Sequence, residues 1–285
     1  MAWTTTHDLD AFLSAAGDFL RTRPAEHTVL LSVAAALHAG TRSYGDDPPE
    51  YGWWRAADGA VRGAFLRTPP HPVLLSSMPD EAADDLAAVA LRADRPTGGV
   101  NGGSAAARAY AAGWERRTGA TTHCRLSTRL YRLGDLTPPE PAPPGAARPA
   151  RRRDRDLLIA WIEAFRRDID AHTEDCASAV DDRLSYGGLT LWEADGVPVS
   201  LAGVSRTVAG MVRVGPVYTP PAQRGSGYAG AVTAAISGAA RGAGAAEVLL
   251  FADLANSTTN ALYQRIGYRP VEDHVQLVFD RRRPV

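Results

Sequence analysis

Residues 219–230 read Thr219-Pro220-Pro221-Ala222-Gln223-Arg224-Gly225-Ser226-Gly227-Tyr228-Ala229-Gly230. Glycine disfavours helix, yet Tyr228, Val232, Ala235, Ile236 and Ala239 recur at helical spacing directly afterwards and predict a helix over 226–241. Ahead of the prolines, Met211–Tyr218 has the composition of a strand. Behind the helix, Glu247–Asp253 (EVLLFAD) reads as a buried strand. A strand, a glycine-rich turn and a helix in succession make an anion site. The first helical turn offers unpaired N–H groups and the positive end of the dipole, and glycine lets the backbone approach phosphate oxygens. Arg224 would add a charge-assisted contact.

Working outward, Leu157, Leu158, Trp161, Ile162 and Phe165 predict a helix from Asp156, followed by a second over Glu174–Leu184. Asp195-Gly196 between the strand-like runs Leu189–Glu193 and Pro198–Ser205 predicts a hairpin. A helix over Asn256–Arg265 and a strand over Val275–Phe279 complete this half. The first half gives helices over Asp8–Arg21, Asp80–Leu91 and Ser104–Arg116, a hairpin about Asp58-Gly59, and a strand over Cys124–Leu133. Hairpin, helix, strand, helix and strand occur in the same order twice. The chain is therefore expected to be mixed α/β and a diverged duplication. Thr137–Arg153 (TPPEPAPPGAARPARRR) separates the copies. Proline suits neither a helix interior nor a central strand, so this stretch reads as an extended, partly packed linker. The expected domains are 1–137, a linker at 138–153, and 154–285.

A length of 285 residues with 45% hydrophobic content allows two domains with cores of their own. A net charge of −1 argues against a nucleic-acid or anionic-membrane partner. All 31 basic residues are arginine, which excludes Walker A, Schiff-base and lysine-nucleophile chemistry. A Rossmann dinucleotide site is not expected either. Cys124 and Cys176 make neither a disulfide framework nor a zinc set, so no metal is expected. The start MAWTTTHDLD lacks a basic, then apolar, leader, and the apolar run Val29–Ala39 falls short of the roughly 20 residues of a membrane span. A cytoplasmic protein is expected, and the alanine and arginine usage fits a GC-rich bacterial genome.

Arg224-Gly225-Ser226-Gly227-Tyr228-Ala229 fits R/Q-x-x-G-x-G/A. Downstream, Asn256 through Asn260, Ala261-Leu262-Tyr263 and Ile266-Gly267-Tyr268 follow at matching separation. In these two motifs the chain resembles the GNAT superfamily of N-acetyltransferases, over roughly Arg153 to Asp280. The resemblance implies tandem GNAT-like domains, each a mostly antiparallel mixed sheet flanked by helices. It implies acetyl-CoA as donor, and backbone N–H groups from Gln223 or Arg224 through Gly225, Ser226, Gly227, Tyr228 and Ala229 on the pyrophosphate. Backbone groups of Val217 and Thr219, either side of Tyr218, would pair with the pantetheine arm. Asn256 and Asn260 would contact its amides or order the loop. Tyr263 would protonate the leaving thiolate, a role a neutral phenol suits.

The general base is left open. The family uses a carboxylate, none lies in Met211–Thr219, and Glu193 is the first candidate, with His172, Glu174 and Asp253 behind it. Direct attack by a neutral amine is the alternative. The acceptor is expected to be a small primary amine. Glu163, Asp168, Asp170, Glu174, Asp175, Asp181 and Asp182 suit a cationic one, although solvated helix faces account for the same acids. At the matching junction of the first half, Ser77-Met78-Pro79-Asp80-Glu81-Ala82-Ala83-Asp84-Asp85 puts acids where a pyrophosphate would lie. That half is expected to be a degenerate copy without cofactor. A non-catalytic acyl-CoA-binding module and a transferase of larger acyl groups are the competing readings, and a monomer or homodimer is expected.

Overall fold

The twofold order of elements is present as structure. The computed structural model describes residues 1–40, 47–93, 97–170 and 175–280, so the base candidates His172 and Glu174 lie outside the described residues. The chain divides into two units. Unit 1 comprises Met1–Leu130, Asp253–Ala255 and the segment from Val271 on, and unit 2 comprises Tyr131–Ala252 and Asn256–Pro270.

Unit 1 runs through β1 (Ala2–Thr6), α1 (Leu9–Thr22), α2 (Thr28–His38), β2 (Glu50–Arg55), β3 (Val61–Arg67), β4 (Val73–Leu75), α3 (Asp80–Arg92), β5 (Gly99–Gly103), α4 (Ser104–Thr118) and the first ten residues of β6 (Thr121–Leu133). Strands β1 to β4 pair antiparallel in sequence order, and β4 then pairs parallel with β5. Asp8 caps α1 by accepting from the amides of Asp10 and Ala11. The core gathers Phe65, Leu86, Tyr110 and Trp114, with Phe279 stacked on the last two rings at 6.2 and 5.4 Å.

Unit 2 begins with the last residues of β6 and continues through β7 (Ala146–Pro149), α5 (Arg155–Asp168), α6 (Cys176–Ser185), β8 (Leu189–Ala194), β9 (Val197–Val204), β10 (Met211–Tyr218), α7 (Tyr228–Gly242), β11 (Glu247–Asp253), α8 (Ser257–Arg265) and the start of β12 (Tyr268–Asp280). Its strands repeat the pattern of unit 1. Strands β7 to β10 pair antiparallel in order, and β10 pairs parallel with β11. Val232, Ile236, Val248, Leu250, Tyr263 and Tyr268 form one core cluster under α7 and α8, and Leu158, Ile162, Leu189, Leu191 and Leu201 form another under α5.

Three expectations are corrected. The compact units do not break at 137 and 154. The final strand is longer than Val275–Phe279, and its residues from Val271 on belong to unit 1, where His274 to Val278 pair antiparallel with Gly103 to Gly99 of β5. Alternation along a strand reports which face is buried, not which strand will be its neighbour. The proline stretch, expected as a partly packed linker, also contains a strand. Its residues Ala146–Pro149 form the edge strand β7 on β8, a position proline tolerates. Lastly, β1, α2 and β4 were not anticipated, and β5 was expected only from the repeated order of elements, without bounds. Strand β5 is Gly-Val-Asn-Gly-Gly, poor in strand propensity, because a Cβ at Gly99 would stand 2.3 Å from the Leu277 carbonyl oxygen. Close packing of the strands overrides propensity there.

Gly267 closes α8 with φ +106°, and a Cβ there would lie 1.9 Å from the Asp135 carbonyl oxygen. Gly267→Ala is expected to lower unfolding free energy by more than about 2 kcal/mol, read by urea denaturation. Wild-type stability in that variant would contradict the packing described.

Candidate functional site

The site of unit 2 starts where two parallel strands part. Met211, Val212 and Arg213 of β10 pair with Glu247, Val248 and Leu249 of β11, and the ladder ends there. On its other edge β10 stays with β9, with a register shift between Val214 and Val217. Gly215 sits in that shift at φ +151°, a backbone that side chains disfavour. The carbonyl of Tyr218 turns to β9, accepting from the Ser200 hydroxyl at 3.1 Å. Alternation along the strand then turns the backbone groups of Val217 and Thr219 to the open edge. The Thr219 carbonyl is already engaged by Arg224 Nε at 3.0 Å, so Val217 is the freer of the two.

Past β10 the chain makes a single 3-10 turn over Pro221–Gln223 and then the glycine run. Gly225 and Gly227 both adopt left-handed φ, +83° and +81°. The amides of Gln223 and Arg224 donate to the carbonyls of Pro220 and Pro221 at 2.8 and 3.3 Å. The first backbone bond beyond the turn is Ala231 N–H to Gly227 at 3.1 Å. Between them, the amides of Gly225, Ser226, Gly227, Tyr228, Ala229 and Gly230 have no acceptor among the described residues. An ordinary helix leaves four such amides; alternating left-handed glycines extend the run into a concave nest for an anion. The expected cradle therefore begins at Gly225 and excludes the amides of Gln223 and Arg224. The Arg224 side chain is turned back as well, with Nη2 2.8 Å from Asp168 on α5. Both partners are half-exposed, and such a pair is worth at most about 1 kcal/mol, so an incoming phosphate can displace the carboxylate.

Helix α8 passes near the start of α7 at Leu262, 3.7 Å from where a Cβ of Gly230 would stand, and has a polar N-terminal end. Asn256 is the N-cap, its side chain accepting from Thr259 N–H at 3.0 Å. Asn260 Nδ2 donates to the Asn256 carbonyl at 2.8 Å, and its Oδ1 accepts from the Tyr131 hydroxyl at 2.7 Å. Gln264 in turn donates to that hydroxyl at 3.3 Å. The two asparagines thus order the helix start. Tyr131, fully buried, is a site-supporting residue that the sequence did not reveal, because it lies in the strand that ends the other half. Tyr263 is 7% exposed and packs edge-on to Tyr268 at 6.0 Å. Burial alone pushes its phenol up to about 12, and no described group hydrogen-bonds its hydroxyl. Counting from the first helical residue, Tyr110 holds the same position in α4 that Tyr263 holds in α8, and burial likewise pushes it up to about 12.

The structure does not bring Glu193 to the site as a free carboxylate. It is ion-paired with Arg148 Nε, while the two other guanidinium nitrogens of Arg148 hold Asp154 at 2.8 and 2.9 Å. This network fastens β7 to β8 and to the start of α5. Asp253 is spent locally on the amide of Ala255 at 2.9 Å. The acids proposed to greet a cationic acceptor are largely matched by the chain's own arginines: Asp168 by Arg224, Asp181 by Arg155 and Asp182 by Arg206. Asp175 caps α6 through the amide of Ala177. In unit 1, Asp80 and Glu81 occupy the first turn of α3, and Asp84 pairs with Arg116 and Arg117. No glycine run stands there.

By spacing, Gly225, Gly227 and Gly230 do fit G-x-G-x-x-G, so the glycines themselves do not exclude a dinucleotide site. The strand order does: β10 has three antiparallel partners in succession on one side and only three residues of parallel ladder on the other. Among the described residues, no cluster of His, Cys, Asp and Glu is grouped to hold a metal, and no helix is long and apolar enough to cross a membrane.

Comparison with known proteins agrees with this topology. Residues 201–277 match the family model described as FR47-like protein. A GNAT-family acetyltransferase from Colwellia psychrerythraea superposes with a TM-score of 0.62 at 12% identity, covering 98% of this chain and 99% of its own. A GCN5-related N-acetyltransferase from Sphaerobacter thermophilus gives 0.61 at 17%, covering 99% and 96%. A tandem GNAT protein from the clavulanic acid biosynthesis pathway covers 100% of both chains with a TM-score of 0.56 at 10% identity. At such identities the likeness is one of fold. No curated protein sequence matches the chain.

The Arg148 bonds hold the Asp154 carboxyl below the usual carboxylate range. A depressed folded value means stability present above the unfolded pKa of about 4 and lost as pH falls through the folded value. Asp154→Asn should therefore destabilise the chain by about 2 kcal/mol at pH 7, with the gap to wild type narrowing as pH falls below the unfolded value of about 4. A gap that keeps its full size as pH falls until the wild type itself unfolds would contradict the assignment.

Proposed function

The chain has the GNAT acetyltransferase fold in its tandem arrangement, and on that premise we propose that unit 2 transfers the acetyl group of acetyl-CoA to a small primary amine. The observation that carries the reading is the run of six unengaged amides from Gly225 to Gly230, with Arg224 beside it. It suits a diphosphate. The open edge of β10 at Val217 suits the amides of a pantetheine arm, which would join the sheet as an added strand. Unit 1, with acids at the matching junction, is proposed to bind no CoA.

In this reading the amine nitrogen attacks the thioester carbonyl carbon, the C–S bond breaks, and the departing sulfur takes the proton of Tyr263. Tyr263 recovers a proton from the ammonium formed at nitrogen, through water. Burial favours the neutral phenol, so Tyr263 keeps its proton across the working pH range. With Glu193 and Asp253 engaged elsewhere, attack by an amine that is already neutral fits the site better than removal of its proton by a carboxylate. Most of the rate enhancement then comes from positioning, with the acid adding to it.

Tyr263→Phe is expected to lower turnover about a hundredfold while CoA affinity stays within about twofold, read by free-thiol release and calorimetry. Unchanged turnover would remove the acid role. A chain that binds CoA yet releases no thiol with any amine supplied would be a non-catalytic acyl-CoA module instead. Since the acid must be protonated and its pKa lies near 12, activity should rise with pH toward the pKa of the acceptor amine, without loss from Tyr263 below about pH 11. An alkaline limb falling near pH 9 would contradict that.

A further inference from the structure

The proline stretch, read from the sequence as a partly packed linker, follows a defined track in unit 2. The Thr137 amide donates to the Ile266 carbonyl at 3.1 Å, and Leu136 lies 3.2 Å from where a Cβ of Gly238 would stand. Pro139 lies 3.3 Å from the corresponding point at Gly230, beside Leu262, and Pro143 3.7 Å from that at Gly227. The Pro144 carbonyl then accepts from Trp192 Nε1 at 2.8 Å, and Gly145, at φ +100°, passes against the backbone of Glu193 into β7. The chain thus runs antiparallel to α7 over the glycines 238, 230 and 227 and crosses the N-terminal end of that helix. The helix from 227 to 238 rises about 17 Å, within the reach of about 23 Å of the seven residue steps from Leu136 to Pro143.

A tether between domains needs only length. This one sets proline rings against two of the glycines that form the amide nest, and it is anchored at both ends. Gly227 and Gly230 therefore answer two demands: an open face for an anion, and room for a proline on the other side. Prolines lose little entropy on being ordered, so a strap made of them costs little to hold in place.

We propose that Leu136–Gly145 is a structural wall of the CoA site, its rings at Pro139 and Pro143 fixing the nest from Gly225 to Gly230 around the diphosphate end of the ligand. The inference rests on the acetyl-CoA reading and adds to it a binding element outside both sequence motifs. A nest that the strap already holds rigid spends none of its binding energy on ordering.

The test is calorimetric titration of CoA, and of pantetheine lacking the adenosine diphosphate end, into the full chain. The double variant Pro139→Gly with Pro143→Gly should raise the Kd for CoA about tenfold and leave that for pantetheine unchanged. Trp192→Phe, which removes the bond to Pro144 but keeps a ring, is the second variant in case the first does not fold, with an expected rise of about threefold. CoA binding as tight as wild type, or tighter, in a folded variant overturns the inference, as does an equal loss for pantetheine. Absence of CoA binding by the unaltered chain overturns the acetyl-CoA reading and the inference with it.

Discussion

Two strands that pair for three residues and then part set up the rest of unit 2. Strands β10 and β11 share a ladder only from Met211 to Arg213. Had the ladder continued, the edge at Val217 would be satisfied and no ligand could enter the sheet. Backbone amides and carbonyls seek partners wherever water is scarce, so an open edge beside a core asks for an occupant with alternating donors and acceptors. The register shift at Gly215 and the hold of β9 on the other side keep β10 from following β11.

The glycine run completes what the parting strands begin. At its end the chain leaves six amides without acceptors among the described residues, open to a ligand or water. The left-handed glycines curve these amides inward, and the same lack of side chains admits the proline strap along α7. A site assembled from backbone has a consequence for evolution. Its geometry depends on where glycine and proline stand and little on other side chains, which is consistent with a shared fold at 10–17% identity.

The strand–glycine–helix core of unit 2 was legible because three signals coincide there: β composition at Met211–Tyr218, glycines, and helical periodicity. Both strands are observed with the bounds expected for them. The bounds of strand β5 were hidden by its three glycines, of which Gly99 and Gly103 serve packing against β12 and Gly102 packing against Leu75 of β4. The division of β6 and β12 between the units was hidden because pairing partners leave no mark in a single strand's alternation. The pairing of Glu193 was hidden for a similar reason: a carboxylate looks available in sequence until Arg148, 45 residues away, closes on it. Tyr131 went unnoticed because its partner Asn260 is 129 residues distant. Glycine spacing alone does not decide the ligand, since it fits a dinucleotide fingerprint that the strand order rules out.

The central claim is that the amides from Gly225 to Gly230 receive the diphosphate of CoA. Amide hydrogen exchange with and without saturating CoA, resolved to single residues over 219–242, tests it most directly. The account predicts that exchange slows at Gly225 through Gly230 on binding, while the amides of Gln223 and Arg224, already bonded to Pro220 and Pro221, change little. CoA bound with no added protection across that run would contradict it.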